Sequence, residues 1–313
     1  MGVEQRRTAY PSQVVSHDYE VSQASTNMSP NRSKTVRQVT EEIAHVLSAA
    51  DVPSPVVDAR ELIAFVVKVP RNQLALVTWI TAEQQAEIRI MAGRRAQRVP
   101  LQHLTGSAPF RYLDLAVGPG VFIPRPETEP LVGWGLDAIA GLAAPLVVDL
   151  CAGSGAIALS VAREHPGAVV VAVEQSAGAL PWLRRNAAAT PVKIIEGDAV
   201  SAATLRDLDG QVDAVLSNPP YVPCASTVPP EVSDHDPAAA VFAGADGLDV
   251  IRGLVVRAAA LLKPSGVVAV EHDDGHGVAV PDLLRRTGAF GDVADHDDLT
   301  GRPRFATARR LAD

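Results

Sequence analysis

Two cysteines, Cys151 and Cys224, are all that this chain of 313 residues contains. They are too few for a disulfide framework, and neither lies in a Cys-x-x-Cys or Cys/His spacing that holds zinc. A reducing compartment, the cytoplasm, and a protein without metal are therefore expected. Aromatic residues make up only 4%, which disfavours a Tyr/Trp-rich binding sandwich and suits helix-on-sheet layers of Ala, Val and Leu. No apolar run approaches the ~18 residues of a membrane span, and residues 1–10 carry no apolar core of a signal peptide, so no membrane partner is expected. An excess of basic charge is missing as well: 28 Lys and Arg face 36 Asp and Glu, a formal charge of −8. A protein that gains its affinity by neutralising phosphates shows the opposite balance, so no stable nucleic-acid partner is expected. What is present, 47% apolar and 20% charged residues, suffices for a sizeable core divided over two units.

Residues 1–34 are rich in Ser, Gln, Asn and Thr and show no sustained apolar period, which predicts a flexible tail. Met28 lies just ahead of the first periodic segment and is an alternative start. From Thr35 the pattern turns helical. Thr35 and Gln38 have capping-box spacing, and Val36, Val39, Ile43, Val46, Leu47 and Ala50 recur at helical intervals. Pro53-Ser54-Pro55 breaks this helix, Val57 to Val67 forms a second, and Thr81 with Gln84 opens a third that carries Ile88 and Met91 and runs into Arg94-Arg95. A helical domain over residues 35–98 is expected. A β-hairpin linker over 99–125 follows, with Leu113 to Val117 paired to Val121–Ile123 across Gly118-Pro119-Gly120. Beyond it, over 126–313, apolar strands alternate with amphipathic helices: strands at 146–150, 168–174, 192–196, 212–217 and 266–271, helices at 157–163, 180–188 and 250–262. This alternation predicts an α/β domain with a parallel sheet covered on both faces.

The first of those strands runs into Cys151-Ala152-Gly153-Ser154-Gly155. A glycine-rich turn at the carboxyl edge of a parallel sheet lets backbone approach a ligand and aims a helix N-terminus at it. Glu174 closes the second strand, where a carboxylate accepts both ribose hydroxyls of an adenosine-type cofactor. Gly153-x-Gly155-x-x-Ala158 also satisfies the dinucleotide fingerprint, so this region alone does not separate S-adenosylmethionine from NAD. The fourth strand is more specific, because it is followed at once by Asn218-Pro219-Pro220-Tyr221. The two prolines fix the backbone, so that the Asn218 side chain and the Pro219 carbonyl stand as two acceptors out of the sheet edge. A planar –NH2 group fits between them, with the Tyr221 ring stacked on it. An amide or aromatic-amine nitrogen needs no strong base if both N–H bonds are held and its lone pair faces an electrophilic methyl.

At these residues the chain resembles the HemK/PrmC family of protein-(glutamine-N5) methyltransferases from Thr35 to the C-terminus. The resemblance extends to Asp58-Ala59-Arg60-Glu61-Leu62, Pro100-Leu101-Gln102-His103-Leu104-Thr105-Gly106, Ile123-Pro124-Arg125-Pro126-Glu127-Thr128-Glu129, Asp246-Gly247-Leu248 and Leu299-Thr300-Gly301-Arg302. It implies a class I Rossmann-like methyltransferase that uses S-adenosyl-L-methionine, releases S-adenosyl-L-homocysteine, and modifies the Gly-Gly-Gln glutamine of class 1 peptide chain release factors. It also implies that the N-terminal helical domain helps to hold that substrate. By the same resemblance Cys151, Ala152, Gly153, Ser154, Gly155 and Glu174 serve the cofactor, Asp198 and Ala199 its adenine, and Asn218 to Tyr221 the substrate amide, with Asn218 also beside the cofactor. The chain departs from the family pattern at several points: Cys151 stands for a usual Gly, Glu174 for a frequent Asp and Ala199 for a larger side chain. His235-Asp236-Pro237 replaces aromatic-Glu-Pro, and Glu271-His272-Asp273-Asp274-Gly275 replaces Glu-x-Gly.

Other conspicuous residues have plainer readings. Cys151 and Cys224 are expected to be buried and inert, Arg94, Arg95 and Arg98 to form a solvated helix end, and Trp79, Trp134 and Trp182 to be packing residues. Competing functions are an adenine-N6 nucleic-acid methyltransferase, which shares the tetrapeptide but needs a basic recognition surface, a ribosomal-protein glutamine methyltransferase, and a silent interaction protein, which has no need of Asn218 to Tyr221.

Overall fold

The computed structural model describes residues 33–312; the expected tail lies almost wholly outside them. The helical unit opens with α1 (Val36–Ala49), whose N-terminus carries the expected capping box, Thr35 Oγ1 accepting from the Gln38 N–H and Gln38 Oε1 from the Thr35 N–H. In α2 (Pro55–Val67) the breaker proline is itself the first helical residue, where a missing N–H costs nothing. A second capping box, Thr81 with Gln84, starts α3 (Ala82–Ala96), and the short α4 (Leu101–Thr105) follows. Ile43, Leu47, Leu62, Ile63, Ile80 and Ile88 are fully buried between these helices. Each such side chain contributes roughly 1.5–3 kcal/mol of transfer free energy.

Some plain readings do not hold. Arg95 is buried and ion-paired rather than part of a solvated helix end, because Asp58 of α2 lies beneath it at 2.7 Å. Trp79 is exposed, whereas Trp134 and Trp182 pack against the core as expected. Cys224 is exposed, not buried.

The linker does contain a hairpin, but with a different partner. Strand β1 (Ser107–Phe110) pairs with β2 (Leu113–Ala116) across Arg111-Tyr112, and residues 121–123 form no strand. Pro109 hides β1 from a strand reading; a two-stranded ribbon has only edges, and edges tolerate proline.

The larger unit continues α5 (Glu129–Ile139), β3 (Leu146–Leu150), α6 (Ala156–Glu164), β4 (Val169–Glu174), α7 (Leu180–Ala187), β5 (Lys193–Glu196) and β6 (Val212–Ser217). It ends α8 (Pro230–Ser233), α9 (Ala238–Val241), α10 (Asp249–Leu261), β7 (Leu262–Glu271), α11 (Ala279–Arg286), β8 (Phe290–Asp297) and β9 (Pro303–Arg310). The sheet order is β5-β4-β3-β6-β7-β9-β8; the first five strands are parallel, and β9 runs antiparallel to both β7 and β8. Successive strand residues serve opposite faces. Val147, Val170 and Ala214 pack with α5, α6 and α7, while Val148, Val171 and Val215 pack with α10 and α11. The result is a Rossmann-like α/β domain that follows a small helical domain in the chain. No helix of the described residues is long and apolar enough to cross a membrane.

Candidate active site

Strand β3 has β4 on one side and β6 on the other, so the chain reverses its winding direction there and leaves a crevice at the carboxyl ends of the strands. A cavity of about 550 Å3 occupies it, within the ~300–1,000 Å3 usual for small-molecule sites. Cys151, Ala152, Gly153, Ser154, Glu174, Asp198, Ala199, Asn218 and Pro220 line it. A smaller cavity of about 160 Å3, lined among others by Pro219, Tyr221, Phe122, Arg125 and Val232, adjoins it, and Asn218 and Phe122 border both.

Gly155 does not line either cavity. It is the N-cap of α6 at φ 92°, and a Cβ there would stand 2.8 Å from Leu183 and 2.9 Å from Leu159. Its role is close helix packing in a left-handed backbone. Cys151 has φ 67°, a region that costs a side-chain-bearing residue ~1–2 kcal/mol and explains the family's glycine. Burial pushes its thiol up, with the Glu174 and Asp149 charges adding to the effect, which favours the protonated thiol.

Asp149, not singled out in the sequence, is fully buried at the end of β3 and accepts from the Ala158 N–H at 3.0 Å, tying the first turn of α6 to the strand. Burial raises its carboxyl to about 8 against the pull of that N–H, and the Glu174 charge adds to the rise. A lone acid in an apolar strand, just ahead of a glycine turn, was the available signal.

Glu174 is buried at 8% exposure rather than standing free at the strand end. Its Oε2 accepts from the Gly153 N–H at 2.8 Å and its Oε1 from the Ser176 N–H at 2.7 Å. The carboxylate therefore pins the glycine turn and keeps one lone pair on each oxygen for a diol. On the neighbouring strand end Asp198 Oδ1 accepts from the Val200 N–H at 3.0 Å, which leaves Oδ2 open beside the buried Ala199. Acceptors for a ribose, small side chains for a flat base, and exposed turn backbone together fit an adenosine-type cofactor.

Strand β6 ends at Ser217, whose Oγ donates to the Leu150 carbonyl at 2.5 Å and locks the two strand ends together. The Asn218 Nδ2 donates to Thr128 Oγ1 at 3.0 Å. With its nitrogen occupied, the amide presents Oδ1 as an acceptor, and Oδ1 has no partner among the described residues. Tyr221 donates from its hydroxyl to Glu271 Oε1 at 3.0 Å. Burial lifts Glu271 to about 7, opposed by the Thr128 and Tyr221 hydroxyls and by Arg304. Thr128 belongs to the Pro124 to Glu129 stretch, so that motif orients Asn218.

Two further family-like motifs buttress this corner. Gly247 has φ 77°, and a Cβ there would lie 2.2 Å from the Tyr221 carbonyl, so only glycine lets the chain pass. Thr300 donates twice to Asp298 Oδ1, and Asp298 holds Arg304, which faces Glu271. At the departures from the family, Asp236 is buried and paired with Arg125 at 2.7 Å, and buried His272 contacts Asp295 at 2.8 Å.

Residues 38–106 match the family model for the PrmC N-terminal domain, and residues 136–229 that for the methyltransferase small domain. The chain is 51% identical over 279 residues to the release factor glutamine methyltransferase of Streptomyces coelicolor, covering 88% of this chain and 96% of that one. It is 46% identical over 283 residues to its counterpart in Mycolicibacterium smegmatis, with 88% and 98% coverage. Among solved structures, the hMettl16 catalytic domain in complex with the MAT2A 3'UTR hairpin 6 superposes with a TM-score of 0.52 at 16% identity, over 71% of this chain and 82% of that one, a likeness of fold alone.

Proposed function

Because this chain belongs to the release factor glutamine methyltransferases, we propose that it transfers a methyl group from S-adenosylmethionine to the side-chain amide nitrogen of the Gly-Gly-Gln glutamine of class 1 peptide chain release factors, in the cytoplasm. The observation that carries the reading is the Asn218–Thr128 hydrogen bond at 3.0 Å. It leaves an oxygen acceptor at the junction of the two cavities, the larger suited to the cofactor and the smaller to a glutamine side chain.

Glu174 holds the ribose hydroxyls through the two lone pairs that its backbone contacts spare, and Asp198 and Ala199 border the adenine. When bound, S-adenosylmethionine supplies an electrophilic methyl on a cationic sulfonium and leaves as S-adenosylhomocysteine. Asn218 Oδ1 and the Pro219 carbonyl each accept one N–H of the glutamine amide, which fixes the plane of the –NH2 and turns the nitrogen lone pair toward the larger cavity. Tyr221, held at its hydroxyl by Glu271, offers its ring to the amide plane. No general base is needed ahead of transfer, because the proton leaves readily once nitrogen carries the methyl. Rate enhancement then comes from orientation and from acceptors that need not reorganise.

The test is incubation with isotopically labelled S-adenosylmethionine and purified release factors, followed by mass spectrometry of the Gly-Gly-Gln peptide. A methyl on the glutamine amide is expected; label found only on nucleic acid or on a ribosomal protein contradicts the reading.

A further inference from the structure

Asp58-Ala59-Arg60-Glu61-Leu62 lines neither cavity, yet its first residue is buried among charges. Asp58 sits in the first turn of α2, and Arg95, in the last turn of α3, donates from Nε to its Oδ2 at 2.7 Å. The same guanidinium reaches Glu231 Oε1 with Nη2 at 2.8 Å. Arg98 donates from Nη2 to Glu231 Oε2 at 2.6 Å and from Nη1 to the Asp51 carbonyl at 2.8 Å. The four side chains are between 8% and 20% exposed, and their charges cancel. An unpaired charge in such a place is expensive, so each member depends on the others.

Glu231 is not part of the helical unit. It lies in α8, in the segment that follows Asn218 to Tyr221, and its neighbour Val232 lines the smaller cavity. α8 spans only four residues, too few to hold its own shape. Its carboxylate is gripped from one side while the next side chain forms cavity wall on the other. The same segment is fastened again at Asp236 by Arg125, which also lines that cavity.

We propose that Asp58, Arg95, Arg98 and Glu231 form a clasp through which the helical domain positions the wall of the glutamine cavity. Glu231 and Arg98 are thus positioning residues for methyl transfer, acting through Val232 on a glutamine held at Asn218. The inference rests on the glutamine-transfer reading and extends it, since it makes the helical domain part of the catalytic geometry. Arg95 Nε and Nη2 and Arg98 Nη2 engage the clasp carboxylates, and Arg98 Nη1 engages the Asp51 carbonyl, which sets this role apart from direct docking of the substrate protein.

The test is a double-mutant cycle of Arg98→Ala and Glu231→Ala with a release factor as substrate, well below the melting temperature. Calorimetric affinity for S-adenosylmethionine monitors the fold. The wild-type enzyme, methylating the glutamine in the same series, establishes the underlying reading independently. With that activity present, each single variant is expected to lose at least fivefold in kcat, with KM and cofactor affinity changed less than threefold, and the double variant is expected to lose little more than either single one. A rise in KM at unchanged kcat would mark the arginine and glutamate as docking contacts and overturn the proposal. Wild-type kcat in both singles, or losses that multiply in the double variant, would overturn it too.

Discussion

Thr128 Oγ1 receives the Asn218 amide nitrogen at 3.0 Å across 90 residues of sequence, and this bond decides which end of the amide is left to act. The chain enters α5 through Thr128, and the fourth parallel strand delivers Asn218 to the same point. Removing the hydroxyl frees the amide to rotate and present its donor end. Thr128→Ala is expected to lower kcat by about tenfold, the loss of one hydrogen bond of ~1 kcal/mol plus misorientation, while Thr128→Ser restores most of it. Steady-state kinetics with a release factor checks this, and equal rates for the Ala variant would contradict it.

Glu174 both borders the larger cavity and holds the glycine turn, so its loss is not confined to ligand binding. Glu174→Ala leaves the Gly153 and Ser176 N–H groups without their acceptor, at roughly 1.5–3 kcal/mol for each charge-assisted bond. Both cofactor affinity and melting temperature are expected to fall. Glu174→Gln is expected to rescue only in part, because its –NH2 would face one of the two backbone donors. Calorimetry and thermal denaturation check the pair of effects; a variant that loses affinity at unchanged stability would contradict the pinning role.

The pH dependence of stability has a definite sign. Burial holds Glu271 at about 7, whereas the free side chain titrates at 4.5. Between these values the folded state carries more protons than the unfolded one, so stability falls as pH rises through that window and stays lower above it. Asp149 acts the same way between 3.8 and about 8. Glu271→Gln removes one share, on the order of 3 kcal/mol. Urea denaturation at pH 5 and pH 8 is expected to show a smaller loss for the variant than for the wild type. An unchanged difference would show that Glu271 is ionised at its ordinary value.

Much of this architecture was legible where local chemistry speaks. Both capping boxes, the strands at 146–150 and 212–217, and the tetrapeptide after the latter follow from spacing and periodicity. What escaped depends on partners distant in sequence. The burial of Arg95 requires Asp58 on another helix, and β1 requires knowing that its proline sits on an open edge. The final antiparallel pair, β8 and β9, carries polar residues such as Asp295, His296 and Arg304 because polar contacts with His272 and Asp298 and a ring contact with Phe305 replace simple alternation. Within the site, the lining residues 151–154, Glu174, Asp198, Ala199 and 218–221 were visible as motifs, whereas Gly155 lines neither cavity. The hydrogen bonds that aim them, from Thr128 to Asn218 and from Glu271 to Tyr221, join segments 90 and 50 residues apart, and no window of sequence contains both ends.

The central claim, that an oxygen of Asn218 holds the amide that receives the methyl, is tested most directly by single-turnover methylation of a release factor by Asn218→Ala, read by mass spectrometry of the Gly-Gly-Gln peptide, beside calorimetry with S-adenosylmethionine. Orientation and one acceptor are lost together, so the rate is expected to fall by about 100-fold or more while cofactor affinity changes only a few-fold. Asn218→Asp retains an acceptor and is expected to fall between the two. Methylation of the glutamine by Asn218→Ala at close to the wild-type rate would contradict the account and leave the tetrapeptide as a structural turn.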